Sequence, residues 1–208
     1  MSAARRGVAT EEMKAVARDE DVTLEWLLPK IANGSIIIPH NNVRRQKITV
    51  VGIGKGMKTK VNVNIGNSTL SNNLEEEIKK AKVAVKYHAD TIMDLSDGGD
   101  VGLVRRALLE AAPITFGTVP VYEAYNYGVV KHKNPLDISS DDFLNAFERN
   151  IKDGVDYTTI HSGITKEIAK RILGEFKYDI IVNIKSGGTS SQIQAARLAI
   201  ARAIVEYS

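Results

Sequence analysis

The chain has 208 residues, of which 43% are hydrophobic and 25% are charged, and its formal net charge is +3 at pH 7. These proportions exclude a disordered or collagen-like chain, and no run approaches the roughly 18 apolar residues that span a bilayer, so we expect a globular cytoplasmic protein that does not bind membranes. The small net charge, with basic residues only in short clusters such as Arg5-Arg6 and Arg44-Arg45, does not favour nucleic acid as a partner.

Residues 1–57 are predicted to form a small N-terminal subdomain of helices and extended segments. Thr10 can cap a first helix, because a threonine hydroxyl accepts a hydrogen bond from a backbone N–H of the first turn. An apolar stripe predicts a second helix that Pro29 should kink or shorten and that Asn33-Gly34 should end. The stripe consists of Leu24, Leu27, Leu28 and Ile31. Residues 35–39 predict a short strand.

From residue 58 onward, β-branched apolar runs alternate with helical patterns, which predicts a parallel sheet with helical crossovers. The predicted strands are residues 59–65, 91–95, 114–119, 157–161 and 179–184, and the following helices are near 73–87, 100–110, 140–152, 165–173 and 191–206. Asn73 and Ser139 are predicted helix caps. Five units are fewer than a closed (β/α)8 barrel needs, so the predicted fold class is α/β, as a partial barrel or an open parallel sheet. Four units occupy residues 58–173, and the fifth occupies 174–208.

Polar side chains collect at the carboxyl ends of the predicted strands, where α/β proteins bind small molecules. The residues at these strand ends include Asn62, Asn64, Asp94, Tyr122, His161 and Lys185, together with the apolar Met93. For the acids Asp94, Asp97 and Asp100, a solvated loop is favoured over a cation site. The set as a whole predicts a polar pocket for a small molecule.

Two glycine-containing motifs have features of phosphate-binding loops. Residues 52–56 precede a strand instead of opening a helix, so a mobile turn is favoured there. Lys185, Ser186, Gly187 and Gly188 follow a predicted strand and open a predicted helix, where backbone N–H groups can hold a phosphate. A tight turn that needs glycine explains this second motif equally well.

Cysteine is absent from the 208 residues, which excludes disulfides, a cysteine-held iron–sulfur cluster and zinc ribbons within them. The only histidines are His40, His88, His132 and His161, and no two have the helical spacing of metal ligands. The sequence therefore predicts no metal site and no cofactor held by this chain alone.

Six stretches between about residues 5 and 172 resemble the first half of the phosphomethylpyrimidine synthase family, radical S-adenosylmethionine enzymes of thiamine biosynthesis. They read ARRGVATEEM, IPHNNVRR, KVNVNIGNS, ADTIMDLSDGGD, ITFGTVPVYEA and DGVDYTTIHSGIT. The resemblance implies a (β/α)8 barrel that binds aminoimidazole ribonucleotide through Asn64, Met93, Tyr122 and His161. It also implies S-adenosylmethionine, a 4Fe-4S cluster and a divalent metal as the family's cofactors. This family usually has Thr where Asp97 stands and Gln where Glu123 stands.

Residues 174–208 resemble instead the central strand–helix piece of the ninth small-subunit ribosomal protein, which suggests a composite chain joined near Leu173-Gly174. The basic tail with which that family reaches RNA is missing, so Lys185, Arg197 and Arg202 are better explained as surface charge and RNA is not an expected partner.

Three hypotheses for the function follow. The first is a substrate-binding, catalytically incomplete relative of the thiamine-pyrimidine enzyme. The second is a structural or assembly protein that forms a homo-oligomer or pairs with a complementing subunit, since an incomplete barrel leaves strand edges to be covered. The third is a ribosome-associated protein. Whether the chain is an enzyme is left open.

Overall fold

A computed structural model describes residues 1–44, 46–133 and 137–161, and up to Ile160 these belong to one compact unit. The elements are α1 (Ser2–Arg5), α2 (Glu11–Glu20), α3 (Leu24–Ala32), β1 (Ile36–Ile37), β2 (Ile53–Gly54), β3 (Asn62–Ile65), α4 (Leu74–Lys86), β4 (Thr91–Asp94), α5 (Val101–Ala111), β5 (Thr115–Thr118), α6 (Pro120–His132), α7 (Ser140–Asp153) and β6 (Tyr157–Thr158). The elements predicted beyond residue 161, and the predicted join, lie outside the described residues.

The N-terminal helices pack around an apolar cluster of their own. Its buried members are Ala4, Met13, Val16, Ala17, Leu27, Ile31, Ile36 and Val50. Thr10 caps α2 as predicted, since its Oγ1 accepts a hydrogen bond from the N–H of Met13 at 3.4 Å. Helix α3 continues through Pro29 to Ala32, and its C-cap is Asn33.

The glycine-rich segment at residues 52–56 contains a strand at 53–54 followed by a turn at 55–56, so the turn predicted for the whole segment is confined to its second half. Ile53 and Gly54 form β2, which pairs antiparallel with Ile36 and Ile37 of β1. Gly54 has a φ of 154°, and a Cβ at this position would overlap the carbonyl oxygen of Ser35 and the backbone of Ile36. Glycine is required here because the two strands approach so closely.

Strands β3, β4, β5 and β6 form a parallel sheet in that order, as the alternating pattern predicted. Successive side chains of a strand point to opposite faces of the sheet. One face carries Val63, Ile65, Ile92 and Phe116, which pack on the buried alanines of α4 and on Val104 and Leu108 of α5 in a second apolar cluster. Helices thus cover one face, as in a partial α/β barrel or an open sheet covered on one side.

Helix α6 differs from the prediction, because the sequence pattern indicates no helix between residues 119 and 140. It begins at Pro120, a residue whose fixed φ suits the first helical position. Three tyrosines and Gly128 interrupt its apolar stripe. With this weak stripe, Pro120 is the sequence feature that could have indicated the start of the helix. Within the described residues, none of the helices has the length and apolar character needed to cross a bilayer.

A buried ion pair ties the extended segment after β1 to the base of the sheet. Arg44 Nη1 lies 2.7 Å from Asp156 Oδ2, and the two side chains are 4% and 0% exposed. Arg44 also donates to the carbonyl oxygens of Ile114, Leu109 and Ala112. These contacts fix the amino-terminal ends of β5 and β6. The predicted site lies at the opposite, carboxyl-terminal ends of the strands.

Candidate ligand-binding site

The sheet face opposite the helices is polar, and its side chains lie in two layers. The register of the strands places Asn62, Thr91 and Thr115 in one layer and Asn64, Met93, Gly117 and Tyr157 in the next, nearer the carboxyl ends of the strands. In a fold that buries apolar residues, a strand face of this composition is typical of a surface that meets water or a polar ligand.

Tyr157 lies across this face instead of pointing away from it. A Cβ at Gly117 would overlap the Tyr157 ring, so the absence of a side chain at residue 117 allows the ring to lie over β5. The Tyr157 hydroxyl donates a hydrogen bond to Asn62 Oδ1 at 2.9 Å, which spans the sheet from β6 to β3. Burial raises the pKa of the Tyr157 phenol, so the hydroxyl keeps its proton at neutral pH.

Asn62 connects this hydroxyl to the predicted site residue Asn64. Thr91 Oγ1 donates to Asn62 Oδ1 at 2.7 Å, and Asn62 Nδ2 donates to Asn64 Oδ1, also at 2.7 Å. On the next strand, Met93 Sδ accepts a hydrogen bond from Thr159 Oγ1 at 3.5 Å. Both predicted site residues of β3 and β4 are therefore held by neighbours on the same face.

The structure brings two of the four predicted substrate-binding residues together. Asn64 and Met93 are register partners on adjacent strands. Tyr122 lies in the first turn of α6, half-buried, and not in a loop. His161 is exposed and follows β6 by three residues, and its assignment stays a prediction. Lys185, Ser186, Gly187 and Gly188 lie outside the described residues.

The three acids at the end of β4 and in the segment after it have separate roles, and the interpretation of Asp94 as part of a solvated loop was wrong, since Asp94 is the last residue of the strand. Asp94 is 5% exposed, and its Oδ1 accepts hydrogen bonds from the N–H of Ser96 at 2.9 Å and from Ser96 Oγ at 2.5 Å. Burial raises the pKa of the Asp94 carboxyl. Asp97 is exposed, and Asp100 caps α5 by accepting from the N–H of Leu103.

The loops after β3 and β4 are locked together beside this site. The N–H of Asn67 donates to Ser96 Oγ at 3.0 Å, and the N–H of Asp97 donates to the carbonyl oxygen of Asn67. Gly66 has a φ of 141°, and a Cβ there would overlap the backbone of Leu95 and Ser96. These contacts give the carboxyl end of the sheet a fixed rim next to Asn64 and Met93.

A buried polar network holds the helix turn that carries Tyr122. Glu123 Oε2 accepts from Arg105 Nη1 and Asn150 Nδ2, both at 2.6 Å, and Glu123 Oε1 accepts from Arg149 Nε at 2.7 Å. Asn150 Oδ1 in turn accepts from Thr118 Oγ1 at the end of β5. No local sequence pattern indicates this network, although Glu123 stands where the resembled family usually has Gln.

The cofactors that the resemblance implies do not fit these residues. Cysteine thiolates hold iron–sulfur clusters, and the 208 residues contain no cysteine. Among residues 1–44, 46–133 and 137–161, no group of three or more metal-ligating side chains is placed to hold a metal ion. The prediction that the cluster, S-adenosylmethionine and the divalent metal are not held by this chain alone stays a prediction.

The fold and the site together define an α/β protein with helices on one face of a parallel sheet and a polar opposite face. The chain belongs to the Radical SAM ThiC family, which matches residues 1–196. It is 45% identical over 172 residues to the phosphomethylpyrimidine synthase of Pyrococcus furiosus and 47% identical over 172 residues to that of Thermococcus gammatolerans, in each case over 83% of this chain. The enzyme of the same name from Ignicoccus hospitalis is 41% identical over 181 residues, which is 86% of this chain.

The chain spans about 40% of the length of these curated relatives, the covered share being 40%, 40% and 41%. The family match extends past the predicted join near residue 173. The resemblance of residues 174–208 to a ribosomal protein stays a prediction.

Proposed function

We propose that this chain binds aminoimidazole ribonucleotide, as the substrate-binding part of a phosphomethylpyrimidine synthase of thiamine biosynthesis. The family match and the identity to enzymes named phosphomethylpyrimidine synthase support the substrate class. The single observation that carries the proposal is the pairing of Asn64 with Met93 on the polar face, at the carboxyl ends of β3 and β4.

The chemistry of these side chains suits a ribonucleotide. The ligand offers hydroxyl and phosphate oxygens that accept hydrogen bonds, and a flat heterocycle. The carboxamide of Asn64 can donate to an oxygen or a ring nitrogen, while the polarisable sulfur of Met93 can contact the face or edge of the ring. Tyr122, in the turn that the Glu123 network holds, is proposed to contribute a further contact from α6.

We treat binding of the ribonucleotide and its chemical conversion as separate functions of these 208 residues. When bound, a reduced iron–sulfur cluster with S-adenosylmethionine supplies the radical that starts the family's reaction. Because the residues contain no thiol, we propose that they bind and orient the ribonucleotide, and that a complementing subunit or further protein segment supplies the cluster ligands. The strand edges of the sheet are also proposed to be covered in a homo-oligomer.

Calorimetric titration of the 208-residue chain with aminoimidazole ribonucleotide tests the binding function. We expect saturable binding in the millimolar range or tighter, and a loss of affinity of about tenfold in Asn64→Asp, which removes the donor and adds a negative charge. Asn145→Asp is the matched control, because Asn145 is exposed on α7. An absence of heat at millimolar ligand, or equal losses in both variants, contradicts the proposal. His161→Ala tests the predicted fourth contact in the same assay.

A further inference from the structure

The carboxamide of Asn62 lies between two hydroxyl groups and a second carboxamide. Thr91 Oγ1 and Tyr157 Oη lie 2.7 Å and 2.9 Å from the same atom, Asn62 Oδ1. Asn62 Nδ2 lies 2.7 Å from Asn64 Oδ1. This set of hydrogen bonds thus connects Tyr157 of β6 and Thr91 of β4, through Asn62 of β3, to Asn64 near the carboxyl end of the sheet.

The placement of the Asn62 atoms gives this group a direction, because Oδ1 faces the hydroxyls of Thr91 and Tyr157 while Nδ2 faces Asn64 Oδ1. A carbonyl oxygen can accept two hydrogen bonds, whereas an amide NH2 only donates. In this arrangement both hydroxyls donate to Asn62 Oδ1, and the Asn62 NH2 is directed toward Asn64. Since that NH2 needs an acceptor, Asn64 presents its oxygen to Asn62. The Asn64 Nδ2 then points away from Asn62.

The donor left over belongs to an exposed side chain. Asn64 is exposed, and Nδ2 of Asn64 has no hydrogen-bond acceptor in the described part of the chain. Met93 lies beside it on the next strand. A ligand placed here meets a donor whose orientation is already fixed, and fixing a group before binding reduces the entropy that binding costs.

We propose that Tyr157 and Asn62 are positioning residues that fix the Asn64 carboxamide with its Nδ2 toward the ligand, so that the site selects an acceptor atom there. The acceptor is a phosphate or hydroxyl oxygen or an unprotonated ring nitrogen. The inference rests on the proposed function, because a ribonucleotide carries all three. Gly117 is part of the same arrangement, because only a residue without a side chain lets the Tyr157 ring lie over β5.

The first test needs no ligand and uses the side-chain NH2 signals in a 15N–1H NMR spectrum of the 208-residue chain. The Asn64 signal is assigned by its disappearance in Asn64→Asp. We expect Tyr157→Phe and Asn62→Asp to shift this signal, the latter more, because a carboxylate at residue 62 repels Asn64 Oδ1 and turns the carboxamide over. Tyr87→Phe is the matched control, because the Tyr87 side chain is on the exposed surface of the chain. An unmoved Asn64 signal in both test variants overturns the inference.

The second test measures affinity for aminoimidazole ribonucleotide. We expect about threefold weaker binding in Tyr157→Phe, where Thr91 still holds Asn62, and about tenfold weaker binding in Asn62→Asp. In an Asn64→Ala background, Asn62→Asp should change the affinity by less than about twofold, because its effect passes through Asn64. Equal losses in both backgrounds would instead indicate a general structural role and overturn the inference.

The two tests separate this inference from the proposed function. If the unaltered chain binds no ribonucleotide while the Asn64 signal moves as expected, the proposed function fails and the orientation of the carboxamide stands. If the ribonucleotide binds but the Asn64 signal does not move, the positioning role fails and the proposed function stands.

Discussion

Arg44→Met is expected to lower the free energy of unfolding by about 3–5 kcal/mol, because it leaves a buried carboxylate without its cation. The Asp156 side chain is fully buried, and the guanidinium of Arg44 is its only ion-pair partner among the described residues. Asp156 keeps the backbone N–H groups of Asn41 and Phe116 as donors, so its charge is not left entirely unsatisfied. Methionine preserves most of the side-chain volume, so the loss reports charge and hydrogen bonding more than packing.

The backbone oxygens around the guanidinium add to this loss. Arg44 donates to Ile114 O at 2.8 Å and to Leu109 O at 2.9 Å, and a buried carbonyl left without a donor costs about 1–3 kcal/mol before the surroundings relax. These costs overlap with the loss of the ion pair. The expected loss in the free energy of unfolding therefore lies in the upper part of the range of about 3–5 kcal/mol and does not exceed it.

Urea unfolding followed by far-ultraviolet circular dichroism measures the effect. The matched control is Arg106→Met, because Arg106 is 58% exposed and its Nη1 lies 3.7 Å from Asp153. An exposed pair of this kind contributes less than about 1 kcal/mol. If both variants lose the same free energy, Arg44 does not fix the base of the sheet in the way described.

Three further variants test the site and its supports. Gly117→Ala should lower the free energy of unfolding by about 1–3 kcal/mol in urea and shift the Tyr157 ring signals in NMR, because its Cβ overlaps that ring. Glu123→Gln should lower the free energy of unfolding by about 1–3 kcal/mol, because Arg105 and Arg149 donate to different oxygens of Glu123 and the amide replaces one of these oxygens with an NH2 group. Asp142→Asn should reduce the dependence of Tm on pH, because hydrogen bonds from Lys131, Ser139 and His132 hold the pKa of Asp142 well below its usual range.

The sign of the pH effect follows from that lowered pKa. A carboxyl whose pKa is lower in the folded state stabilises the fold above its unfolded pKa, and this stabilisation is lost as the pH falls toward the folded value. The difference in Tm between the unaltered chain and Asp142→Asn should therefore be largest near neutral pH and shrink below about pH 4. A difference that grows in acid contradicts this account. Unchanged stability in Gly117→Ala or Glu123→Gln contradicts the close contacts described at those residues.

Local patterns were sufficient to predict strands β1 and β3 to β6 and most of the helices among the described residues. Thr10 and Ser139 cap helices as expected, the latter in a reciprocal arrangement with Asp142, and β3 to β6 form the predicted parallel sheet. These features depend on residues that are close together in the sequence. The strands follow from alternating apolar runs, and the caps follow from a polar side chain three residues before the backbone N–H that it accepts from.

The parts that the sequence did not predict depend on distant residues or on weak periodicity. The hydrogen bond from Tyr157 to Asn62 joins residues 95 positions apart, and the Arg44–Asp156 pair joins residues 112 apart. No pattern among neighbouring residues in the sequence indicates either contact. Asp94 is one residue beyond Met93 and points to the helix-covered face, so its burial follows from the register of the sheet and not from its polar neighbours.

The most direct test of a ribonucleotide site on the polar face of the sheet is to follow side-chain amide signals during a titration with aminoimidazole ribonucleotide. The account predicts a saturable shift of the Asn64 NH2 signal, with the midpoint that calorimetry gives, while the exposed Asn145 signal does not move. A titration that leaves the Asn64 signal unmoved up to millimolar ligand, or that moves Asn145 equally, contradicts it.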